Sequence, residues 1–246
     1  MSAIGVLGVF GRNDMRQIRR DSMLVGVFAG PLIYAAALWF VPALTRYAVR
    51  AWDVDLTPYY SLIVSAAAVI GPALVIGSLA GLLLLEEKDQ RTLSALRVTP
   101  LPPSAYPLYR GLVTVALATV YTVAVLALSR LASAEVILAG VPVGVTCGMV
   151  AIVVSLLIAG PAGNKVEGLA IGKAIGLPFA IIPMGAFFLT GSPWEAAFGV
   201  LPPYWPAKAL WSAWEGGTIW PYVLGGLAYN TLLIAVLLRL FRGRLG

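Results

Sequence analysis

The sequence predicts an all-α integral membrane protein with six transmembrane helices in a single domain, residues 1–246. Hydrophobic residues make up 60% of the chain and charged residues only 11%, with a mean hydropathy of +0.90. A globular domain carries about 25% charged residues, so a soluble fold of this size lacks the polar side chains to cover itself. The apolar residues also fall into long uncharged runs rather than the short alternating stretches of a membrane β-barrel.

The spans follow from the gaps between charges. Those gaps are Ser22–Thr45 (24 residues), Leu56–Leu85 (30), Gly111–Ser129 (19), Val136–Asn164 (29), Ala174–Trp194 (21) and Gly216–Leu238 (23). A helix needs about 20 apolar residues to cross the hydrocarbon core. The expected spans are therefore 22–45, 57–85, 110–130, 136–160, 170–192 and 218–240. Lys and Arg orient them. With the N-terminus inside, thirteen basic residues lie on the cytoplasmic side, and four (Arg46, Arg50, Arg130, Lys208) lie outside. That asymmetry obeys the positive-inside rule and places both termini in the cytoplasm. All seven tryptophans fall toward the outer side. The net charge of +6 thus reports topology, and nucleic-acid binding is not expected.

The first segment, 1–21, reads as an amphipathic interfacial helix. Ile4, Leu7, Met15 and Ile18 share one face, and Arg12, Arg16, Arg19 and Arg20 cluster roughly 130° away at 100° per residue. A basic helix of this kind lies on anionic inner-leaflet lipid; an ordinary basic flank to the first span is the simpler alternative. Because the arginines follow the uncharged residues 1–11, a cleaved signal peptide is not expected.

Catalytic and metal chemistry find little to work with. The chain has no histidine and a single cysteine, Cys147. That leaves no disulfide framework, no histidine-dependent triad and none of the usual zinc ligand sets. The charge-free runs hold no acidic residue for proton coupling. Gly160–Lys165 and Gly172–Ala174 are only fragments of a phosphate-binding loop, so ATP is not expected to bind this chain. Lys173, at the cytoplasmic start of span five, reads as a snorkelling anchor.

Small residues at spacing four mark close helix contacts. They occur at Gly26/Gly30, Gly77/Gly81 and Gly168/Gly172/Gly176, the last a candidate for helix packing or dimer formation. Pro31, Pro72, Pro178 and Pro183 are expected to kink their helices.

The loop 86–104 joins spans two and three. It carries Glu86, Glu87, Lys88, Asp89, Arg91 and Arg97, places Leu93 and Leu96 on one helical face, and stops at Pro100, Pro102 and Pro103. This stretch resembles the first cytoplasmic loop of ABC-2-type permeases, the membrane subunits of bacterial ABC exporters. That loop reads acidic–basic, then Thr-Leu-x-x-Leu, then Thr-Pro; here it is Glu87-Lys88, Thr92-Leu93-Ser94-Ala95-Leu96 and Thr99-Pro100. Arg91 stands where the family usually has Gly. The resemblance extends to the six spans and to the Trp- and Pro-rich outer segment 193–217, and it includes small multidrug and fluoroquinolone export permeases.

The resemblance implies a short coupling helix docking on a separate ATPase subunit that binds ATP and Mg, through Glu87, Arg91, Thr92, Leu93, Leu96, Thr99 and Pro100. It implies a second permease, the same or a related chain, and an outer re-entrant helical hairpin at 193–217. An aromatic interfacial belt is the alternative reading of that hairpin. Spans two and five would line the path, with Phe179, Met184, Phe187 and Phe188 as apolar contacts for an amphipathic drug-like or lipid-like substrate. The function implied is export across the bacterial cytoplasmic membrane. A membrane-embedded lipid-modifying enzyme and a non-catalytic assembly factor are the alternatives.

Overall fold

The computed structural model describes residues 22–89 and 105–241. Among the described residues every regular element is helical, and six stretches are long and apolar enough to cross a membrane. The α-helices are α1 (Ser22–Trp39), α2 (Val41–Trp52), α3 (Tyr60–Ser65), α4 (Gly71–Asp89), α5 (Ala105–Ser129), α6 (Ala134–Ala159), α7 (Lys165–Phe188), α8 (Tyr204–Trp214) and α9 (Trp220–Leu240). The expected interfacial helix at 1–21 and residues 90–104 of the expected coupling loop lie outside the described residues.

The first span runs past the expected end at 45. After a break at Phe40 the chain re-enters a helix with Pro42 in its first turn, where a missing N–H is tolerated, and continues to Trp52. Charge counting ends the span at Arg46, but α2 is amphipathic. Val41, Thr45 and Ala48 are buried, while Arg46 and Arg50 are exposed on the opposite side. Both arginines therefore ride on a helix and not in a loop. Trp39 Nε1 donates to Leu128 O at 2.6 Å, and the Arg130 guanidinium lies 5.0 Å from the Trp39 ring centroid, tying the break to the α5–α6 turn.

Span two is made of a short 3₁₀ turn (Thr57–Tyr59), α3, a π-helical turn (Ala66–Ile70) and α4. Pro72 explains the π turn. It has no N–H for the carbonyl four residues back, and its ring clashes there, so the chain accommodates an extra residue rather than a simple kink. The disturbed ladder offers Val69 O to the buried Cys147 thiol, which donates to it at 3.2 Å.

The bundle is organised around α6, capped by Ser133, whose hydroxyl accepts from Val136 N at 3.3 Å. In span four 67% of the apolar stretch is buried, against 11% in span five. Its glycines set its distance from α5: a Cβ at Gly144 would stand 2.7 Å from Thr119 Cα, and one at Gly148 2.5 Å from Val115 Cα. Gly77, on α4, approaches the other side, where a Cβ would meet Ala151 O at 2.7 Å. Val150, Ala151, Val154 and Ile158 of α6 fill the core with Ala73, Ile76, Leu82 and Leu85 of α4.

Candidate functional site

At one end of the bundle α4 stops while α5 and α7 begin. Asn164 caps α7, its Oδ1 accepting from Val166 N and Glu167 N, each at 3.0 Å. Glu167 closes the cap by accepting from Gly163 N at 2.8 Å. This cap starts span five at Lys165 rather than near 170 and makes the Gly160–Lys165 segment an ordinary interhelical turn. Lys165 Nζ donates to Glu86 Oε2 at 3.0 Å, and Arg110 pairs with Glu87. Glu87, assigned from the resemblance to the docking loop, therefore belongs to the end of α4, where it ties α4 to α5. Arg91, Thr92, Leu93, Leu96, Thr99 and Pro100 lie outside the described residues.

The three glycines of α7 do not act alike. Gly168 is buried against Leu85 of α4, and Gly172 faces Ile158 of α6, where a Cβ would reach Ile158 Cδ1 at 3.4 Å. A Cβ at Gly176 would meet nothing within 4 Å. Gly168 and Gly172 thus serve packing within the chain, and Gly176 faces open space.

Three of the four apolar path candidates come together at the far end of α7. Phe187 stacks edge-on against Trp211 with centroids 5.2 Å apart and against Phe188 at 5.6 Å, and Tyr59 lies 6.3 Å from Phe187 and 6.1 Å from Phe188. Met184 Sδ lies 4.0 Å from Ser65 Oγ. Phe179 is separate, packed on the α4–α6 core.

Over this cluster folds the segment 193–217, a 3₁₀ stretch (Pro193–Val200) followed by α8. From Tyr204 to Trp211 α8 is buried on nearly every side, against α6, α9, α3 and α7. Trp211, 1% exposed, donates from Nε1 to Ser65 Oγ at 2.8 Å. Ser65 lies eight residues beyond Thr57, about 12 Å along that span at 1.5 Å per residue. Trp211 is therefore held inside the bundle by a span-two side chain.

The same segment holds a buried ion pair that charge counting cannot find. Lys208, 7% exposed, places Nζ 2.7 Å from Glu195 Oε1 and donates to Thr190 Oγ1 at 3.3 Å. Glu195 also accepts from Gly191 N (3.0 Å) and Tyr204 Oη (3.2 Å). Burial alone would raise its carboxyl, but the hydrogen bonds from Lys208, Gly191 and Tyr204 with the lysine charge outweigh it and hold Glu195 below the ordinary carboxylate value. Burial, then the neighbouring carboxylate, push the Tyr204 phenol up. Lys208, counted in the sequence among the outer-side basic residues, joins the end of α7 to α8. Its partner lies thirteen residues earlier, at no helical spacing, so the only signal in sequence is a lysine inside an otherwise apolar run.

Comparison with known proteins places this architecture. A protein-family model described as fluoroquinolones export permease protein Rv2686c-like matches residues 14–238. The chain is 40% identical over 239 residues, 97% of this chain and 94% of the relative, to the fluoroquinolones export permease protein Rv2686c of Mycobacterium tuberculosis strain H37Rv. The same figures hold for the fluoroquinolones export permease protein MT2760 of strain CDC 1551. No solved structure matches the chain.

Proposed function

Because the chain belongs to the Rv2686c-like fluoroquinolone export permease family and is a multi-pass membrane permease of an exporter, we propose that it is the permease subunit of an ATP-driven ABC exporter. It moves an amphipathic, drug-like or lipid-like solute, fluoroquinolones among them, out across the cytoplasmic membrane. ATP and Mg are bound by a separate ATPase subunit, and a second permease completes the membrane unit. Both termini and the loop 86–104 face the cytoplasm. In that loop Leu93 and Leu96 are the apolar anchors and Arg91 the polar rim of the docking helix, while Glu87 fixes its root through Arg110. The segment 193–217 is the re-entrant hairpin, and Met184, Phe187 and Phe188 lie where span five meets it.

The observation that carries this reading is the family match along nearly the whole chain. Among the described residues the acidic side chains of the spans all stand within two residues of a span end, which supports an external energy source over ion coupling within the membrane. Affinity purification of the tagged chain from native membranes tests it: an ABC ATPase is expected in the eluate, and deleting the gene should raise accumulation of a fluoroquinolone in intact cells. Repeated purification without an ATPase, together with unchanged accumulation in the deletion strain, refutes it.

A further inference from the structure

Span five carries a charge that nothing in the described chain answers. Lys173 lies eight residues in from Lys165, about 12 Å along α7. Among the described residues it is the charged side chain farthest from either end of a span; the next, Arg46, is six residues from Trp52. It is exposed, and it has no hydrogen bond or ion pair with any described residue. Near the inner end of α7, Lys165 pairs with Glu86, Arg110 with Glu87, and Glu167 closes its own cap. An ammonium held against lipid tails is unfavourable, and charged groups within spans face a bundle interior or a water-filled path.

The surroundings of Lys173 on its own helix are those of a track. At 100° per residue, Gly176, Leu177, Ala180, Met184 and Phe188 fall within about 60° of it. The stripe therefore runs from a cation near the inner end, across an open glycine, to the aromatic and thioether cluster beneath the outer hairpin. A flat or flexible solute with an anionic group at one edge complements it: the anion pairs with the ammonium and the apolar body lies along the small and adaptable side chains beyond. A fluoroquinolone, an aryl carboxylate, has this chemistry.

We propose that Lys173 recognises the carboxylate of the transported solute at the inner part of the path, so that the permease selects anionic or zwitterionic amphiphiles over the corresponding esters, which lack the carboxylate. This rests on the reading that the chain exports such solutes. An ion pair formed away from bulk water would favour the acid over its ester by about tenfold.

The test uses the full chain in nanodiscs of neutral phosphatidylcholine and the intrinsic fluorescence of a fluoroquinolone and of its methyl ester. Wild type is expected to bind the acid about tenfold more tightly than the ester. Lys173→Met should bind both equally, at the ester's affinity, and Lys173→Arg should retain the preference. An unchanged acid preference in Lys173→Met overturns the proposal and leaves Lys173 a snorkelling anchor. So does acid binding that disappears when phosphatidylglycerol replaces part of the lipid, because a lipid headgroup then occupies the lysine. Wild type binding acid and ester alike sinks this proposal but not the transport reading; wild type binding neither sinks both.

Discussion

Lys208 Nζ sits 2.7 Å from Glu195 Oε1, with both side chains nearly enclosed, and this pair clamps the segment 193–217 onto the end of α7. Removing one partner leaves the other as an unpaired charge in a poorly solvated site, a loss of about 3–5 kcal/mol. Lys208→Met or Glu195→Leu should therefore lower the thermal unfolding midpoint of the purified chain sharply. The double substitution should recover most of that loss, because no unpaired charge remains. Single variants as stable as wild type would show the pair to be solvated after all.

Acid should act on the same clamp. The Glu195 carboxyl is held below its ordinary value of 4.5, so its contribution is full above that pH and disappears as pH falls through the lower folded value. Thermal midpoints measured from pH 6 to pH 3 should drop for wild type below about 4.5. Glu195→Gln, less stable throughout, should lose the part of the drop that belongs to this carboxyl. Parallel wild-type and Glu195→Gln curves would mean that the group does not titrate in this window.

A neutral hydrogen bond anchors the same segment more deeply. Ser65→Ala strands the Trp211 indole N–H in a buried place, a cost of about 1–3 kcal/mol. The same substitution at Ser133, the exposed cap of α6, should cost about 1 kcal/mol by loss of an N-cap alone. Denaturant unfolding in mild detergent, read through tryptophan emission, distinguishes the two. The Ser65 variant should also shift the emission of the buried Trp211.

Glycines separate into those that cannot change and those that can. A Cβ at Gly148 meets the backbone of α5, so Gly148→Ala requires the two helices to move apart and should cost about 1–3 kcal/mol. Gly176→Ala should be neutral in the isolated chain, where nothing stands within 4 Å. The yield of monodisperse protein on size exclusion measures both.

Transport coupling and folding should come apart in the loop 86–104 proposed to dock on the ATPase. Leu93→Asp with Leu96→Asp should abolish stimulation of ATP hydrolysis in the reconstituted exporter, since buried anchors at an interface commonly contribute about 2 kcal/mol or more. The Glu86–Lys165 and Glu87–Arg110 contacts should hold the ends of the spans in place. Normal ATPase coupling in that variant would place the docking site elsewhere.

The membrane class and the number of spans were legible because charges are costly inside a bilayer, and their absence leaves a direct trace in the order of residues. The ends of the spans were less so. Arg46 and Arg50 look like loop residues, yet the exposed side of α2 carries them without leaving the helix. Asn164 starts α7 early because a side-chain cap, rather than hydropathy, decides where a helix begins. Lys208 could not be read as buried without Glu195, and the pair meets only through the turn between a 3₁₀ stretch and α8. The spacing of Gly168, Gly172 and Gly176 is as regular as that of Gly140, Gly144 and Gly148. Spacing alone does not tell which stripe faces its own chain; the structure puts the second against α5 and leaves Gly176 open. Of the four apolar path residues, Phe179 lies five or more residues earlier along α7 and packs on the α4–α6 core, whereas Met184 and Phe187 pack on the cluster around Tyr204, Ala207 and Trp211.

The closeness of α5 and α6 bears on how the molecule is made. Only residues 130–133 separate the two helices, with Arg130 in the left-handed region at φ 60°, and the glycine stripe lets them meet along much of their length. This hairpin needs no later helix to close, so it can form while the C-terminal helices are still to emerge from the ribosome. The later helices have a wall to pack on, since α7, α8 and α9 all lie against α6. Glu195 precedes Lys208 in the chain, so the carboxylate is made before the lysine that pairs with it.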